Sequence, residues 1–461
     1  MTELSDLRRS AREIFTTALK SVDAGDAVRR AVTMDGSRLS IVDTTFDLAS
    51  PLTTIYAVAI GKAALPMAAA LDAVLGDRLS AGVITGSTVS QPDGNADYST
   101  ATAFSLPDRW QVFNGGHPLP NEESLAAARA AFELLRRADA SAALVIFLIS
   151  GGGSAMIEWP RNPRTTLDEL RAANRVLVSC GASIREINAV RRAFSAVKGG
   201  GLSAYAPRAR QVSLIVSDTN AGEEQTVASG PTFESPDELD AVSIVARYEL
   251  ASHLPPSILR AINETPRVQM KTPRQLFRQH YVLLDNRHAL DAAAEAARWR
   301  GFTVEVARDL VEQHIIEGSE RLLSRLGDLS ARVAGEHLRV CLIAGGEFAC
   351  PVKGDGVGGR NSETVLRCAI AGDARSNSHP PGQAAHTVAL SAGTDGIDGN
   401  SPAAGAIADE TTLARARELG LDAQSFLDRS DAYTFFDRLG DAIVTGPTGT
   451  NVRDLRVMLA G

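Results

Sequence analysis

A chain of 461 residues is too long for one ordinary hydrophobic core, so two domains are expected. Its 44% hydrophobic and 22% charged residues are a globular balance, and the net charge of −8 argues against general nucleic-acid binding. The four cysteines include no CxxC pair, the start MTELSDLRRSAREIF has no apolar signal core, and no apolar run approaches the ~20 residues that span a bilayer. Structural zinc, a disulfide framework and a membrane partner are therefore not expected, and a cytoplasmic protein is.

The first predicted element is an amphipathic helix from Leu4 to about Val22, with Leu7, Ala11, Phe15 and Leu19 at helical spacing. After a polar stretch, Thr54–Ile60 is a short β-rich apolar run. Similar runs recur at Gly82–Thr85, Ala143–Ile149, Val212–Val216, Tyr281–Leu284, Val340–Ile343, Val388–Leu390 and Ala442–Val444. Helical patterns lie between them: Glu122–Arg137 with Asn121 as N-cap, Thr166–Val178, Ser183–Ala196, Ala289–Trp299 and Glu317–Ala334. Alternating buried strands and helices predict an α/β fold with largely parallel sheets. The stretch 235–275, rich in Pro, Ser and charge, breaks the rhythm and marks the domain change, placed at 245/246: residues 1–245 form one domain and 246–461 the other. Asp373–His386, with Pro380 and Pro381, reads as an exposed loop.

Glycine-rich turns follow four of the strands: IGKAA (60–64), SGGGSA (150–155), the stretch GGEFACPVKGDGVGGRNSE (345–363) and SAGTDGIDG (391–399). Glycine lets backbone N–H groups approach an anion closely, and ligands of open α/β sheets bind at the carboxyl ends of strands. Four such turns, two of them carrying Lys62 or Arg360, point to a phosphorylated ligand. The lysine turn is not a P-loop, because Tyr56 stands where a glycine is required. Lys62 is read either as an ordinary surface lysine or as a functional cation set against the dipole of the helix it opens. Gly151, Gly152, Gly153 and Ser154 exceed what a strand-to-helix crossover needs and offer N–H donors and hydroxyls to an anion. Asn188, Arg191 and Lys198 could share one helix face, with Arg192 solvated.

Asp218 ends a strand just before Glu223 and Glu224; it could hold Mg2+ beside phosphates or cap a turn. Ser229–Thr232 is a second backbone-rich turn nearby. Arg360 could fork onto a phosphate or carboxylate after the flexible Gly358 and Gly359. Asp395 and Asp398 could bind metal, accept a proton or merely turn the chain. His117, in GGHPLP, is read as structural. Gly354, Gly356 and Gly359 approximate a dinucleotide fingerprint but stand in an irregular loop, and are discounted.

The ordered set GKAA, GHPLPNEES, SGGGSA, SIREINAVRRAFSAVKGG, VSLIVSD…ASGPT, GGE…VKGDGVGGRNSE, SAGTDGIDG and VTGPTGTNVRDL resembles the class II glycerate 2-kinases, the family with a C-terminal MOFRL-type domain. The resemblance covers nearly the whole chain. It implies an N-terminal Rossmann-like α/β/α sandwich and a C-terminal α/β domain with the active site in the cleft between them. It implies ATP- and Mg2+-dependent phosphorylation of D-glycerate at its C2 hydroxyl, with Lys62 and Arg360 as catalytic cations. Gly151–Ser154, Asn188, Arg191, Lys198 and Asn361 are then the substrate- or phosphate-binding candidates, and Asp218 and Asp395 the metal candidates. A homodimer is admitted, although the sequence does not set the oligomeric state. Three departures bear on substrate and metal: SDTNAGEEQ where relatives read close to SDVxGDDLS, Gly201 ending KGGG where an arginine or glutamine is usual, and Phe348 after GGE where a small polar residue is usual. A related four-carbon sugar acid is an alternative acceptor, and a hydroxypyruvate reductase the alternative of another class.

Overall fold

The computed structural model describes residues 3–48, 53–86, 106–234, 239–264, 277–333, 339–376 and 386–461. They fall into two compact units, one holding the described residues between 24 and 283, the other residues 3–23 together with 284–461.

The first unit begins with a small antiparallel meander, β1 (Val32–Asp35), β2 (Arg38–Ile41) and β3 (Thr44–Asp47). Six longer strands follow: β4 (Ile55–Ile60), β5 (Leu79–Gly86), β6 (Trp110–Asn114), β7 (Leu144–Ser150), β8 (Arg210–Val216) and β9 (Arg278–Leu284). Their order is β6-β5-β4-β7-β8-β9, and the pairings β4–β5, β5–β6, β4–β7 and β7–β8 are all parallel. That is a Rossmann-like doubly wound sheet, whose strand order reverses between β4 and β7. Both strands are buried along their whole length, as a sheet covered on two faces requires. One face, with Val58, Ile60, Val145, Phe147 and Ile149, packs on the helix Glu122–Ala140. That helix starts at the expected cap: the Asn121 side chain accepts from Ser124 N–H at 2.8 Å, and Ser124 Oγ accepts from Asn121 N–H at 3.1 Å.

The second unit is built on β10 (Thr303–Ala307), β11 (Val340–Ala344), β12 (Thr387–Gly393), β13 (Gly405–Asp409), β14 (Ala442–Ile443) and β15 (Asp454–Ala460), in the order β10-β11-β15-β12-β13-β14. Only β10–β11 is parallel; β15 runs antiparallel to both β11 and β12, so the expectation of largely parallel sheets fails here. Part of the cause is β15, which enters the middle of the sheet without a helical crossover, and β13 adds antiparallel pairings to β12 and β14. Leu455, Val457 and Leu459 face one core, with the helices Glu3–Ser21 and Asn286–Trp299, and Met458 and Ala460 face another, with the helix Ile315–Arg332.

These units do not divide at 245/246. The helix Pro256–Glu264 joins a core with the helices Leu167–Ser179 and Ile184–Phe194, and β9 completes the first sheet, so the first unit runs on to residue 283. The first helix, conversely, packs in the second unit. Of the stretch that suggested a linker, residues 235–238 and 265–276 lie outside the described residues; between them are the helices Ala241–Arg247 and Pro256–Glu264. The loop containing Pro380 and Pro381 also lies outside them, although the helix Arg360–Ser376 already occupies the beginning of Asp373–His386. No helix among the described residues is long and apolar enough to cross a membrane.

The first helix is held by more than its apolar face. Arg8 pairs with Asp409 through one guanidinium nitrogen and with Asp441 through another; those carboxylates are only 2% and 4% exposed. Each also has a second partner, Thr411 for Asp409 and Arg415 for Asp441, so removing Arg8 strands them only in part. Arg8→Ala is expected to cost about 2 kcal/mol. Arg8→Lys should recover less than half of that, because one ammonium cannot fork between two carboxylates. Denaturant unfolding of both variants checks this.

Candidate active site

In the Rossmann-like unit the turns after β4 and β7 are interlocked at the point where strand order reverses. Lys62 N–H donates to the Gly151 carbonyl at 2.9 Å, and Ala63 N–H to Ser150 Oγ at 2.9 Å, while Ser150 Oγ donates to the Ile60 carbonyl at 3.2 Å. The approach is close enough to require glycine. Gly61 has φ +111°, and a Cβ there would lie 2.3 Å from the Ser150 carbonyl oxygen. Gly152 has φ +79°, with the Lys62 side chain against one side of it: a Cβ at Gly152 would lie 3.1 Å from Lys62 Cγ and 3.3 Å from His117 Cδ2. Lys62, the glycine turn 151–153 and His117 are thus brought together, although His117 was read from sequence as structural.

A third turn joins them. A Cβ at Gly153 would lie 2.9 Å from Ala228 Cβ, and Ser154 Oγ lies 2.8 Å from Ser229 Oγ, which donates to Asn188 Oδ1 at 3.0 Å. Asn188 is on the helix Ile184–Phe194, capped by Ser183 with Glu186 in a reciprocal box. Arg191, on the same helix, is half-buried and donates to Asn174 Oδ1 at 2.9 Å. Lys198 does not share that helix face, because the helix ends at Phe194. Its ammonium is buried with Glu158, both side chains 1% exposed, and Glu158 also receives the Ser195 hydroxyl. Burial lowers the Lys198 pKa, opposed by the Glu158 charge. In this arrangement Lys198 braces the turn rather than presenting a cation at a surface.

Asp218 lies half-buried just beyond the end of β8, beside the β7 turn in the sheet order. Its acidic neighbours are engaged locally: Glu223 pairs with Arg185 at 2.9 Å, and Glu224 accepts from Gly222 N–H at 2.8 Å. Among the described residues no group of three or more His, Cys, Asp or Glu converges to hold a metal ion. A metal that arrives with phosphates needs only one or two protein carboxylates, which is what Asp218 can supply.

In the mixed-sheet unit the organising group is Asp454, at the start of β15. Arg360 opens the helix Arg360–Ser376 and forks onto it, Nε to Oδ2 at 2.7 Å and Nη2 to Oδ1 at 3.0 Å; Nη2 also pairs with Glu347 at 2.8 Å. Asn361 Nδ2 donates to Asp454 Oδ1 at 2.9 Å, and Arg456 Nη2 to Oδ2 at 3.2 Å. Burial works against the charge of Asp454, but Arg360 and Arg456 hold its carboxyl below the usual range. Burial brings the Arg456 guanidinium down to about 10 despite Asp454, and its plane lies 3.7 Å from the centre of the Phe348 ring. For Arg360, the carboxylates of Asp454 and Glu347 outweigh burial and raise the pKa.

The two-point fork expected for a ligand is therefore made to a protein carboxylate, with the Arg360 side chain still 34% exposed. Asn361 is 1% exposed and spends its amide on Asp454 and on the Ser391 hydroxyl, 2.6 Å from its oxygen. Asp398 caps the same helix, accepting from the N–H groups of Asn361 at 2.9 Å and Ser362 at 2.8 Å. Asp395 is half-buried in the turn after β12, its carboxylate accepting from Ile397 N–H at 3.1 Å. Sequence reasoning missed Asp454, Arg456 and Glu158, and placed Ser229 only at the start of a backbone-rich turn. Only the DLRVMLA pattern, charged at Asp454 and Arg456 yet otherwise apolar, was there to signal the first two.

The model described as a domain of unknown function (DUF4147) matches residues 10–263, and the MOFRL family model matches residues 340–454. The D-glycerate 2-kinase of Thermotoga maritima is 32% identical over 410 residues, 88% of this chain and 91% of that protein. A protein of Agrobacterium vitis named putative hydroxypyruvate reductase is 36% identical, over 88% of this chain and 98% of its own length. A crystal structure of glycerate kinase from Thermotoga maritima matches with a TM-score of 0.76 at 29% identity, over 99% of this chain and 100% of that one. The chain belongs to the glycerate 2-kinase family, in which a DUF4147 domain is joined to a MOFRL domain.

Proposed function

We infer that the protein is a glycerate 2-kinase, transferring the γ-phosphoryl group of ATP to the C2 hydroxyl of D-glycerate to give 2-phospho-D-glycerate and ADP. The observation that carries this reading is the interlocked pair of turns at the β4/β7 switch point, which lays the Lys62 side chain along Gly152 beside a run of glycine N–H groups. Phosphoryl transfer asks little covalent chemistry of a protein; it asks for cations and N–H donors where oxygen charge accumulates. In this reading the C2 oxygen bonds to the γ-phosphorus as the bond to the bridging oxygen of ADP breaks. Lys62 and Arg360 are assigned as the catalytic cations. Gly151–Ser154, Asn188 and Arg191 line the anion side with Lys198 bracing them from within, and Asn361 shares Asp454 with Arg360 in the other unit. Mg2+ is assigned to the ATP phosphates with Asp218 as its protein ligand. Asp395 is a second candidate for the metal or for the hydroxyl proton.

The reductase label of some relatives is not adopted. The glycines that approximate a dinucleotide fingerprint lie within the long stretch 345–359, where Gly354 packs against Arg429 and Gly356 against Arg429 and Asp431. They are not in the short strand-to-helix turn where such a fingerprint cradles a pyrophosphate. A cytoplasmic location goes with ATP as co-substrate and with four cysteines that form no disulfide among the described residues.

The product is tested with enolase present and phosphoglycerate mutase absent. 2-Phosphoglycerate feeds enolase directly, so an enolase signal is expected with ATP, Mg2+ and D-glycerate, and no NADH oxidation with hydroxypyruvate. ADP release without an enolase signal would overturn the C2 assignment; no ADP release would move the acceptor to another 2-hydroxy acid.

Lys62→Ala should lower turnover by about a hundredfold or more with the melting temperature unchanged, since the half-buried side chain carries charge rather than core packing. A near wild-type rate would remove Lys62 from the chemistry.

Chelation should abolish activity and Mg2+ restore it. Asp218→Asn should raise the Mg2+ concentration for half-maximal rate by about tenfold and leave the KM for D-glycerate nearly unchanged. The reverse pattern would place Asp218 on the acceptor.

A further inference from the structure

After β8 the backbone does something L-residues avoid. Val227 leads into three consecutive left-handed residues, Ala228 (φ 52°), Ser229 (φ 62°) and Gly230 (φ 64°), of which only the last is glycine. Such backbone is disfavoured for a residue with a Cβ and persists only where neighbours over-determine it. Here they do. Gly199 N–H donates to the Ser229 carbonyl at 3.1 Å and Gly200 N–H to the Gly230 carbonyl at 2.7 Å, and the loop bearing those glycines is pinned by the buried Lys198–Glu158 pair.

The strain holds one side chain in place. Ser229 is 5% exposed, and its hydroxyl donates to Asn188 Oδ1. With its single proton spent there, it accepts from Ser154, 2.8 Å away. The relay sets polarity at both ends. Asn188, its oxygen engaged, offers its amide nitrogen as a donor, and Ser154, its proton engaged, offers lone pairs as an acceptor. A 2-hydroxy acid carries the complementary pair on adjacent carbons, a carboxylate that accepts and a hydroxyl that donates. Ser154 stands two residues after Gly152, the residue against which Lys62 lies.

We propose that Ser229 is a positioning residue for the acid substrate, fixing Asn188 to receive the carboxylate and Ser154 to orient the neighbouring hydroxyl of a small 2-hydroxy acid. This rests on the kinase reading and goes beyond it by assigning the acid, rather than the nucleotide, to the turn.

Ser229→Gly tests this cleanly, because glycine is relaxed at φ 62° and the variant should melt at or near the wild-type temperature. It should raise the KM for D-glycerate by about tenfold or more, the loss of a hydrogen-bonded contact to a charged group, and leave the KM for ATP within about twofold. Ser229→Ala should do the same. Calorimetric titration with D-glycerate alone reads the site without turnover, and Ser229→Gly should weaken that binding by a similar factor. A KM for D-glycerate within twofold of wild type, or a rise confined to ATP, overturns the proposal. So does a fall in melting temperature and kcat that leaves the ratio of the two KM values unchanged. If the wild type binds D-glycerate but releases no ADP, the kinase reading fails, and weakened binding in Ser229→Gly still upholds the role of Ser229.

Discussion

The mixed-sheet unit depends on one buried carboxylate. Asp454 is 0% exposed, and a charge so placed is tolerable only while its partners stay put. Those partners come from three places in the chain: Arg360 and Asn361 at the start of a helix, Arg456 from the same strand, and the glycine loop after β11 through backbone bonds. Asp454 N–H donates to the Gly346 carbonyl at 3.3 Å. Asn286 ties the same corner, donating to the Val452 and Asp454 carbonyls at 2.7 and 3.0 Å and accepting from Gly346 N–H at 3.1 Å. Strand end, loop and helix start are therefore tied to one another, and the exposed third of Arg360 is aimed by a fully buried carboxylate. An arginine held this way offers a fixed charge with little rotamer entropy left to lose on binding.

The Rossmann-like unit solves the same problem without a central charge. Lys62 is placed by carbonyls, a serine hydroxyl and the close approach of two glycines, so its position follows from the parallel pairing of β4 and β7. Its deeply buried ion pair Lys198–Glu158 sits a layer further back, under the loop that braces Ser229 and Gly230. Lys62 thus stands just past a strand end and Arg360 at a helix start, each with its polar support behind it, an arrangement that suits chemistry whose demand is positioned charge.

What the sequence made legible followed from periodicity and glycine. The strands β4, β7, β8, β11 and β12 read as apolar runs because both of their faces are covered, and the turns after β4, β7, β11 and β12 were visible as glycine clusters. The capping boxes at Asn121, Thr166 and Ser183 mark helix starts within a residue of those expected. The meander β1–β3 was hidden because its strands are four residues long and largely exposed on one side. β15 was hidden for the opposite reason: Asp454 and Arg456 are charged residues in a central strand, and their burial rests on Arg360, Asn361 and the Gly345 carbonyl as well as on their own pairing. The fork of Arg360 was anticipated as a two-point contact, but not its partner, because a bond across 94 residues of sequence leaves no local trace. Ser229 was visible as the start of a backbone-rich turn but its contacts were not, since left-handed backbone at a serine has no spelling in the chain.

The three departures from the family pattern can be weighed by where they fall. Phe348 lies 2% exposed under the guanidinium of Arg456, its ring against Gly318, where a Cβ would come within 2.5 Å of it. That departure changes core packing behind Asp454. Gly201 lies where a Cβ would meet the Ala196 carbonyl at 2.1 Å, so it too answers a local backbone approach. SDTNAGEEQ differs from both: Ala221 and Gly222 are exposed, Asp218 stays at the strand end, and Glu223 and Glu224 are drawn aside to Arg185 and Gly222. Two of the three substitutions therefore act through packing in the interior of their units. Only the third moves acidic side chains at the carboxyl edge of the sheet, and it does so next to the turn that holds Ser229. If this chain prefers an acceptor other than its relatives' substrate, that segment is where the difference is to be sought, because GKAA around Lys62 and GVGGRN around Arg360 retain the family's residues.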